Sequence, residues 1–200
     1  MRDSIFKVVI NTHAVDRRLQ LNWTINIVHD DNERNVFIVP GGDVYIYTGL
    51  LKFLGNNAEL MGVIAHEVAY ADGDWVVENL ISQFEGRSLN DIINDRDQDK
   101  LEEVAEYLKI MGYDRDAVVH ADTFALDLLC PFRYDLSGLM NVLDRANQDL
   151  NEFKWIQTKN PDPAIRIELL QEYISRHDDC TDRSNVTLER SYNRFIEYLP

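Results

Sequence analysis

Between Asn57 and Ala71 the apolar residues Leu60, Val63, Ile64, Val68 and Ala69 recur at helical spacing. This stripe predicts a helix that opens at Asn57 and is largely buried. His66 and Glu67 lie within it, so the helix carries an imidazole and a carboxylate toward the core, where polar groups are costly unless they are satisfied. A chain of 200 residues, 45% hydrophobic and 28% charged, has enough apolar material for one domain spanning 1–200. With 35 acidic against 20 basic residues its net charge is −15, which argues against nucleic acid or an anionic membrane surface as a partner. The ordinary meaning of such acidity is a solvated surface.

No run approaches the roughly 20 apolar residues of a membrane span. The N-terminal Met-Arg-Asp-Ser-Ile-Phe-Lys also lacks the apolar stretch of a signal peptide, so a soluble chain is expected. A first amphipathic helix is predicted around Ile5 to Leu19. Leu21 to Val28 then alternates as a strand, followed by strands at Val36 to Val39 and Asp43 to Tyr47 joined through Pro40-Gly41-Gly42. The expectation is a small antiparallel sheet. Beyond Thr48 the chain reads as helical, with segments at Gly49 to Leu54, from Asn57, within Leu89 to Met111, from Asp114 as N-cap to about Leu129, and at Leu136 to Ala146, Pro163 to Ile174 and Leu188 to Tyr198. The fold class predicted is α+β, mostly helical with the sheet near the N-terminus.

His66-Glu67-Val68-Ala69-Tyr70 is the H-E-x-x-H pattern with its last histidine replaced by a phenol. In the intact pattern two histidines one turn apart bind zinc from one helix face, and the glutamate is general base for a metal-bound water. Asp72 and Asp74 follow and can attract adventitious cations, although an exposed helix end is the commoner meaning of such a pair.

Several separated stretches carry a resemblance. Asn35-Val36-Phe37-Ile38-Val39-Pro40-Gly41-Gly42, Tyr45-Ile46-Tyr47-Thr48-Gly49-Leu50-Leu51 and Ala58-Glu59-Leu60 through Ala65-His66-Glu67 appear in order. His120-Ala121-Asp122, Trp155-Ile156-Gln157-Thr158 to Asn160-Pro161 and Arg166-Ile167 follow. Together they resemble the zinc metallopeptidases that include the heat-shock protease HtpX, the mitochondrial inner-membrane protease and the CAAX prenyl endopeptidase. The resemblance implies a zincin-like fold. It also implies zinc held by both histidines of H-E-x-x-H and by the first glutamate of E-x-x-A-D, with water in the fourth position.

Carried onto this chain, the resemblance gives His66 a ligand role and Glu67 the base role, both vestigial, with Asp122 orienting a ligand by a hydrogen bond from behind. Tyr70 and Val118 stand at the other two ligand positions. Valine has no donor atom, and a phenol with an ordinary pKa near 10 is a reluctant ligand. His120 is the tempting rescue, but two residues apart on a helix means roughly 200° at about 100° per residue, so it faces away if Val118 faces the site. Asn160 stands where the family often has a histidine. The likeness to small exported members, with Cys130-Pro131 and a later Cys180, implies a disulfide between Cys130 and Cys180. Its loop of about 50 residues would stabilise by roughly 4 kcal/mol in the chain-entropy model. The likeness also implies an extracytoplasmic location, in a bacterial periplasm or cell envelope, with any membrane attachment through a lipid-anchored N-terminal segment absent from this sequence.

Three functions stay open on this reading. The first is a pseudopeptidase that has lost catalytic zinc and binds an extended polypeptide or a protein partner in the old cleft. Its peptide-binding edge would be Asn35, Val36, Phe37, Ile38, Val39 and Pro40. The second is an active zinc endopeptidase using His66, unorthodox ligands and Glu67 as base; the third is a structural or assembly protein with a closed groove. No cofactor is expected under the first and third, and zinc only if the site survives. The sequence does not specify an oligomeric state.

Overall fold

A computed structural model describes residues 14–17, 19–84, 98–132, 134–148, 153, 162–177 and 187–199. The α+β, mostly helical class holds. Three strands, β1 (Thr24–Val28), β2 (Val36–Val39) and β3 (Asp43–Tyr47), precede α1 (Thr48–Phe53), α2 (Asn57–Asp72), α3 (Trp75–Gln83), α4 (Gln98–Ile110), α5 (Arg115–Leu129), α6 (Ser137–Asn147), α7 (Pro163–Ser175) and α8 (Thr187–Glu197). A single 3-10 turn, Cys130–Phe132, extends α5. Most of the helix expected over Ile5 to Leu19 lies outside the described residues, and its described part from Ala14 onward is turn and bend rather than helix. Val15 is nevertheless fully buried there.

The sheet is mixed rather than antiparallel, with strand order β1-β3-β2. β2 and β3 form the expected hairpin through Gly41 and Gly42, whose φ values of 105° and 96° suit glycine. β1, however, pairs parallel to β3, Thr24 opposite Asp43 and Val28 opposite Tyr47. To reach the far side of β3 the chain after β1 must cross the end of that strand, and it does so at Gly49. A Cβ there would sit 2.5 Å from the Glu33 carbonyl oxygen and 2.6 Å from that of Asp31. Asp30 accepts from the Gly49 amide at 3.0 Å and donates to Thr48 Oγ1 at 3.1 Å, which fixes the crossing. Alternation in the sequence reports strands but not this connection.

α2 is the centre of the molecule, with Leu60, Met61, Val63, Ile64, Ala65, Val68 and Ala69 all buried. Each large aliphatic side chain so placed contributes roughly 1.5–3 kcal/mol, which helps offset the burial of polar groups on the same helix. α5 and α6 pack along α2, α7 lies on α5 and α6, and β2 supports α2 from the sheet. Ala117, Ala121 and Ala125 recur every four residues on the buried side of α5, a spacing that lets two helix backbones approach closely. α8 is tied to the start of α2 by Asn57 Nδ2 donating to Ser191 Oγ at 2.9 Å, and Tyr192 donates to the Leu51 carbonyl.

The N-terminus of α2 explains why the helix begins where it does. Asn56 Oδ1 accepts from the Glu59 amide at 3.0 Å, while the Glu59 carboxylate reaches back to Gly55 N at 2.7 Å and Asn56 Nδ2 at 3.3 Å. This is a reciprocal cap. Arg145 from α6 closes it with two bonds to Glu59, at 2.8 and 2.6 Å, its guanidinium lying over the Phe53 ring. The predicted cap of α5 is also present, Asp114 accepting from Ala117 N at 2.8 Å.

Candidate functional site

Two turns beyond Glu59, α2 presents His66 and Glu67 to α5. Both are buried, at 0% and 2% exposure, and His66 Nδ1 lies 2.8 Å from Asp122 Oδ1. Val118 is one turn before Asp122 on the same face of α5, and it too is at 0% exposure. The two helices thus bring His66, Glu67, Val118 and Asp122 together as the spacing predicts. Tyr70, one turn after His66, completes the cluster. Its ring meets the His66 ring edge-on, centroids 4.9 Å apart, and stacks flat on Tyr113 at 3.6 Å and 5°.

Arg166 enters from α7 and was not assigned a role by sequence reasoning. Its Nε and Nη2 each donate to Asp122, at 2.7 Å, one to each oxygen. The pair is buried at 1% and 3% exposure. Burial alone would raise the Asp122 carboxyl, but the charge and bonds of Arg166, followed by His66, overcome it and hold Asp122 at about 2. A usable signal was present: Pro163, Arg166 and Leu170 fall on one stripe of α7, so the arginine occupies a core position. Tyr113 gave no comparable sign.

His120 faces away. It is exposed, packed edge-on against half-buried Trp75 with centroids 4.9 Å apart, and near Phe124. Trp75 in turn contacts Tyr70, 6.1 Å between centroids, so aromatic rings stand between His120 and His66. The 200° argument for α5 therefore describes the geometry found. Asp72 and Asp74 are occupied by the chain itself: Asp72 accepts from the amides of Asp16 and Arg17 at 3.2 and 2.7 Å, and Asp74 pairs with the Arg17 guanidinium.

The zinc that the resemblance implies does not fit this donor set. One imidazole remains, Val118 offers no lone pair, and both Asp122 oxygens are engaged by Arg166. Burial pushes the Tyr70 phenol well above its ordinary value; Arg166 opposes this, while Glu67, Asp122 and Tyr113 add to it, so the group stays a neutral phenol. Among the described residues no three or more His, Cys, Asp or Glu side chains are grouped to hold a metal ion.

The expected peptide edge, Asn35 to Pro40, is an edge of the sheet. Val36 and Ile38 turn into the core, and half-buried Phe37 stacks on Tyr45 at 5.3 Å. Asn35 Nδ2 donates to the Lys109 carbonyl at 2.9 Å, which fastens the end of α4 to the start of this strand. Cys130 ends α5, whereas Cys180 and Asn160 lie outside the described residues. No described helix is long and apolar enough to cross a membrane.

The mitochondrial metalloendopeptidase OMA1 of Arabidopsis thaliana is 27% identical over 176 residues, 87% of this chain and 33% of that protein. OMA1 of Saccharomyces cerevisiae is 34% identical over 61 residues, 30% of this chain and 18% of that protein. The Bos taurus protein is 36% identical over 52 residues, 26% of this chain and 10% of its own length. The matches thus span from a tenth to a third of these relatives. They correct the expected bacterial periplasmic or envelope location, since the relatives matched in plant, yeast and animal are mitochondrial. The Cys130-Pro131 pattern that prompted it is a local feature of a helix end and does not report a compartment. Peptidase family M48 matches residues 2–183, which takes in α2, α5 and α7 with every group of the site, and the chain belongs to that family.

Proposed function

We propose that this chain is a member of peptidase family M48 that has lost catalytic zinc and peptide-bond hydrolysis. It keeps the fold as a scaffold for binding a polypeptide or protein partner. The observation that carries the reading is Tyr70: at the position of the second ligand stands a fully buried, neutral phenol stacked on Tyr113 and edge-on to His66. Val118, at the third ligand position, is equally buried. A general base must reach water, and Glu67 is 2% exposed. On this reading Asn35 to Pro40 is where an extended segment would add to the sheet. A Cys130–Cys180 bridge belongs to the same proposal. Two alkylatable cysteines in the unreduced protein would remove that bridge from it.

Metal analysis of the chain purified without chelator tests the central claim. The expected result is no stoichiometric zinc; one zinc per chain that disappears in His66→Ala would restore the endopeptidase reading. The burial of His66, Glu67 and Tyr70 also favours a second reading, a structural or assembly protein whose groove is closed. Titration with unstructured peptides separates the two, because a closed groove gives no saturable binding.

A further inference from the structure

β1 is an edge of the sheet: the strand order is β1-β3-β2, and among the described residues no strand but β3 pairs with it. The amides of Asn22 and Thr24 donate to the Gly41 and Gly42 carbonyls, on the β3 side. Backbone groups alternate in direction along a strand, so those of Ile25 and Ile27 point the other way, out of the sheet edge. Such an edge is a template for another strand, and proteins ordinarily blunt it with charge, proline or a bulge. Here Leu21 to Val28 holds neither a charged residue nor a proline, in a chain that is 28% charged. Ile27 is 44% exposed, although it shares a face of the sheet with buried Ile25, Val44 and Ile46.

We infer that this edge pairs with a second copy of the chain, β1 against β1, antiparallel and centred on Asn26, which joins the two sheets into one. In that register Ile25 of each copy stands opposite Ile27 of the other, and the outward amide and carbonyl of both residues are used. The exposed Ile27 side chain is then covered by Ile25 of the other copy, as an aliphatic cross-strand pair. Charge fits the same register. The acidic turn after the strand, Asp30 and Asp31, comes to the uncharged Leu21-Asn22 end of the other copy and does not meet its own counterpart. A chain of net charge −15 thus touches itself where it carries no charge. An extended peptide would find the same bonds on this edge but no charged side chain to select it, whereas a second copy repeats the spacing of Ile25 and Ile27. The pairing does not depend on the metal reading, and Asn35 to Pro40 lies at the opposite edge.

Sedimentation of the whole chain over a concentration series tests this, with Ile27→Lys run beside it. The parent should pass from the mass of one chain to that of two as concentration rises. Ile27→Lys puts a like charge beside the edge in both copies and should stay monomeric with an unchanged far-UV spectrum. Mild oxidation of Asn26→Cys then reads the register. At a non-hydrogen-bonded antiparallel pair the Cα atoms are about 4.5 Å apart, within the span of a disulfide, so this variant should link to itself. Val28→Cys, which stands opposite Thr24 of the other copy, should not. A chain that stays monomeric at every concentration overturns the inference, as does a dimer that persists in folded Ile27→Lys or a failure of Asn26→Cys to link. Should Ile27→Lys not fold, the two cysteine variants decide. Saturable binding of an unstructured peptide to a monomeric parent, lost in Ile27→Lys, would give the edge to a peptide and likewise overturn the second copy.

Discussion

At the N-terminal end of α2 a buried carboxylate, Glu59, is met by Arg145, Gly55 and Asn56; near its other end a buried carboxylate, Asp122, is met by Arg166 and His66. The first arrangement is redundant, and its arginine side chain is 37% exposed with its guanidinium over Phe53. The second has no such outlet, for Arg166 is at 0% side-chain exposure. At the site end, His66 and Asp122 are groups whose needs other protein groups meet. The two ligand positions that carry no metal-binding donor, Tyr70 and Val118, are those where in a zinc centre the metal itself would be the partner. On the proposed reading a phenol and an isopropyl group fill that space, and the array behind them is kept.

Removing each arginine measures the difference between the ends. Arg166→Met leaves Asp122 as an uncompensated buried charge and should destabilise by about 3–5 kcal/mol. Arg145→Met leaves Glu59 with its bonds from Gly55 and Asn56 and should cost about 1–2 kcal/mol. Urea unfolding midpoints compare them, and equal losses would mean that the redundancy at the first end contributes nothing.

Restoring the ligands sharpens the comparison from the other side. Val118→Glu alone puts a carboxylate into an apolar position and should lose about 3 kcal/mol. Combined with Tyr70→His it should bind zinc. At a hundredfold excess over Kd, binding adds about 2.7 kcal/mol. That corresponds to roughly 5–10 °C in Tm at this chain length. A double variant whose Tm ignores zinc would show that the scaffold has changed along with the ligands. In the restored background Arg166→Lys should lower zinc affinity roughly 10–100-fold, as loss of an outer partner of a ligand does elsewhere.

Acid supplies a gentler probe of the same array. Asp122 is held at about 2, below its ordinary 3.8, so its contribution is fully present above about pH 4 and is lost as pH falls toward 2. The loss should be about 2 kcal/mol across that window. Asp122→Asn should flatten stability over the same range. An unchanged slope would assign the acid sensitivity to other carboxylates.

The helices were legible because their signals are local. Asp114 as cap, the stripe of α2, and the spacing that puts Val118 and Asp122 on one face while turning His120 outward all follow from the 3.6-residue period. The parallel pairing of β1 was not legible, because it depends on where residues 29–35 cross and on the space left at Gly49. Arg166 was visible only as a letter of the family resemblance. Its role depends on α7 docking against α5, a contact across 44 residues that no window of the sequence contains. Tyr113 was missed for the same reason: its stack on Tyr70 joins the approach to α5 with the far end of α2.

The smallest effects lie in the caps, where the two helices of the site can be perturbed without touching its charges. Asp114→Ala removes one bond, to Ala117 N, and should cost about 1 kcal/mol. Asp114→Asn keeps the acceptor and loses only the interaction of a negative charge with the helix N-terminus, about 0.3–1 kcal/mol and reduced by salt. Asn56→Ala at the head of α2 should also cost about 1 kcal/mol, although Glu59 there retains Gly55 and Arg145. Hydrogen exchange gives the finer reading. If the array is held by α2, α5 and α7 together, Asp114→Ala should speed exchange in the first turn of α5 and leave the amides around Asp122 protected, because Arg166 anchors that turn from outside the helix. Faster exchange at Asp122 as well would mean that the cap, and not the ion pair, keeps this turn of α5 in place.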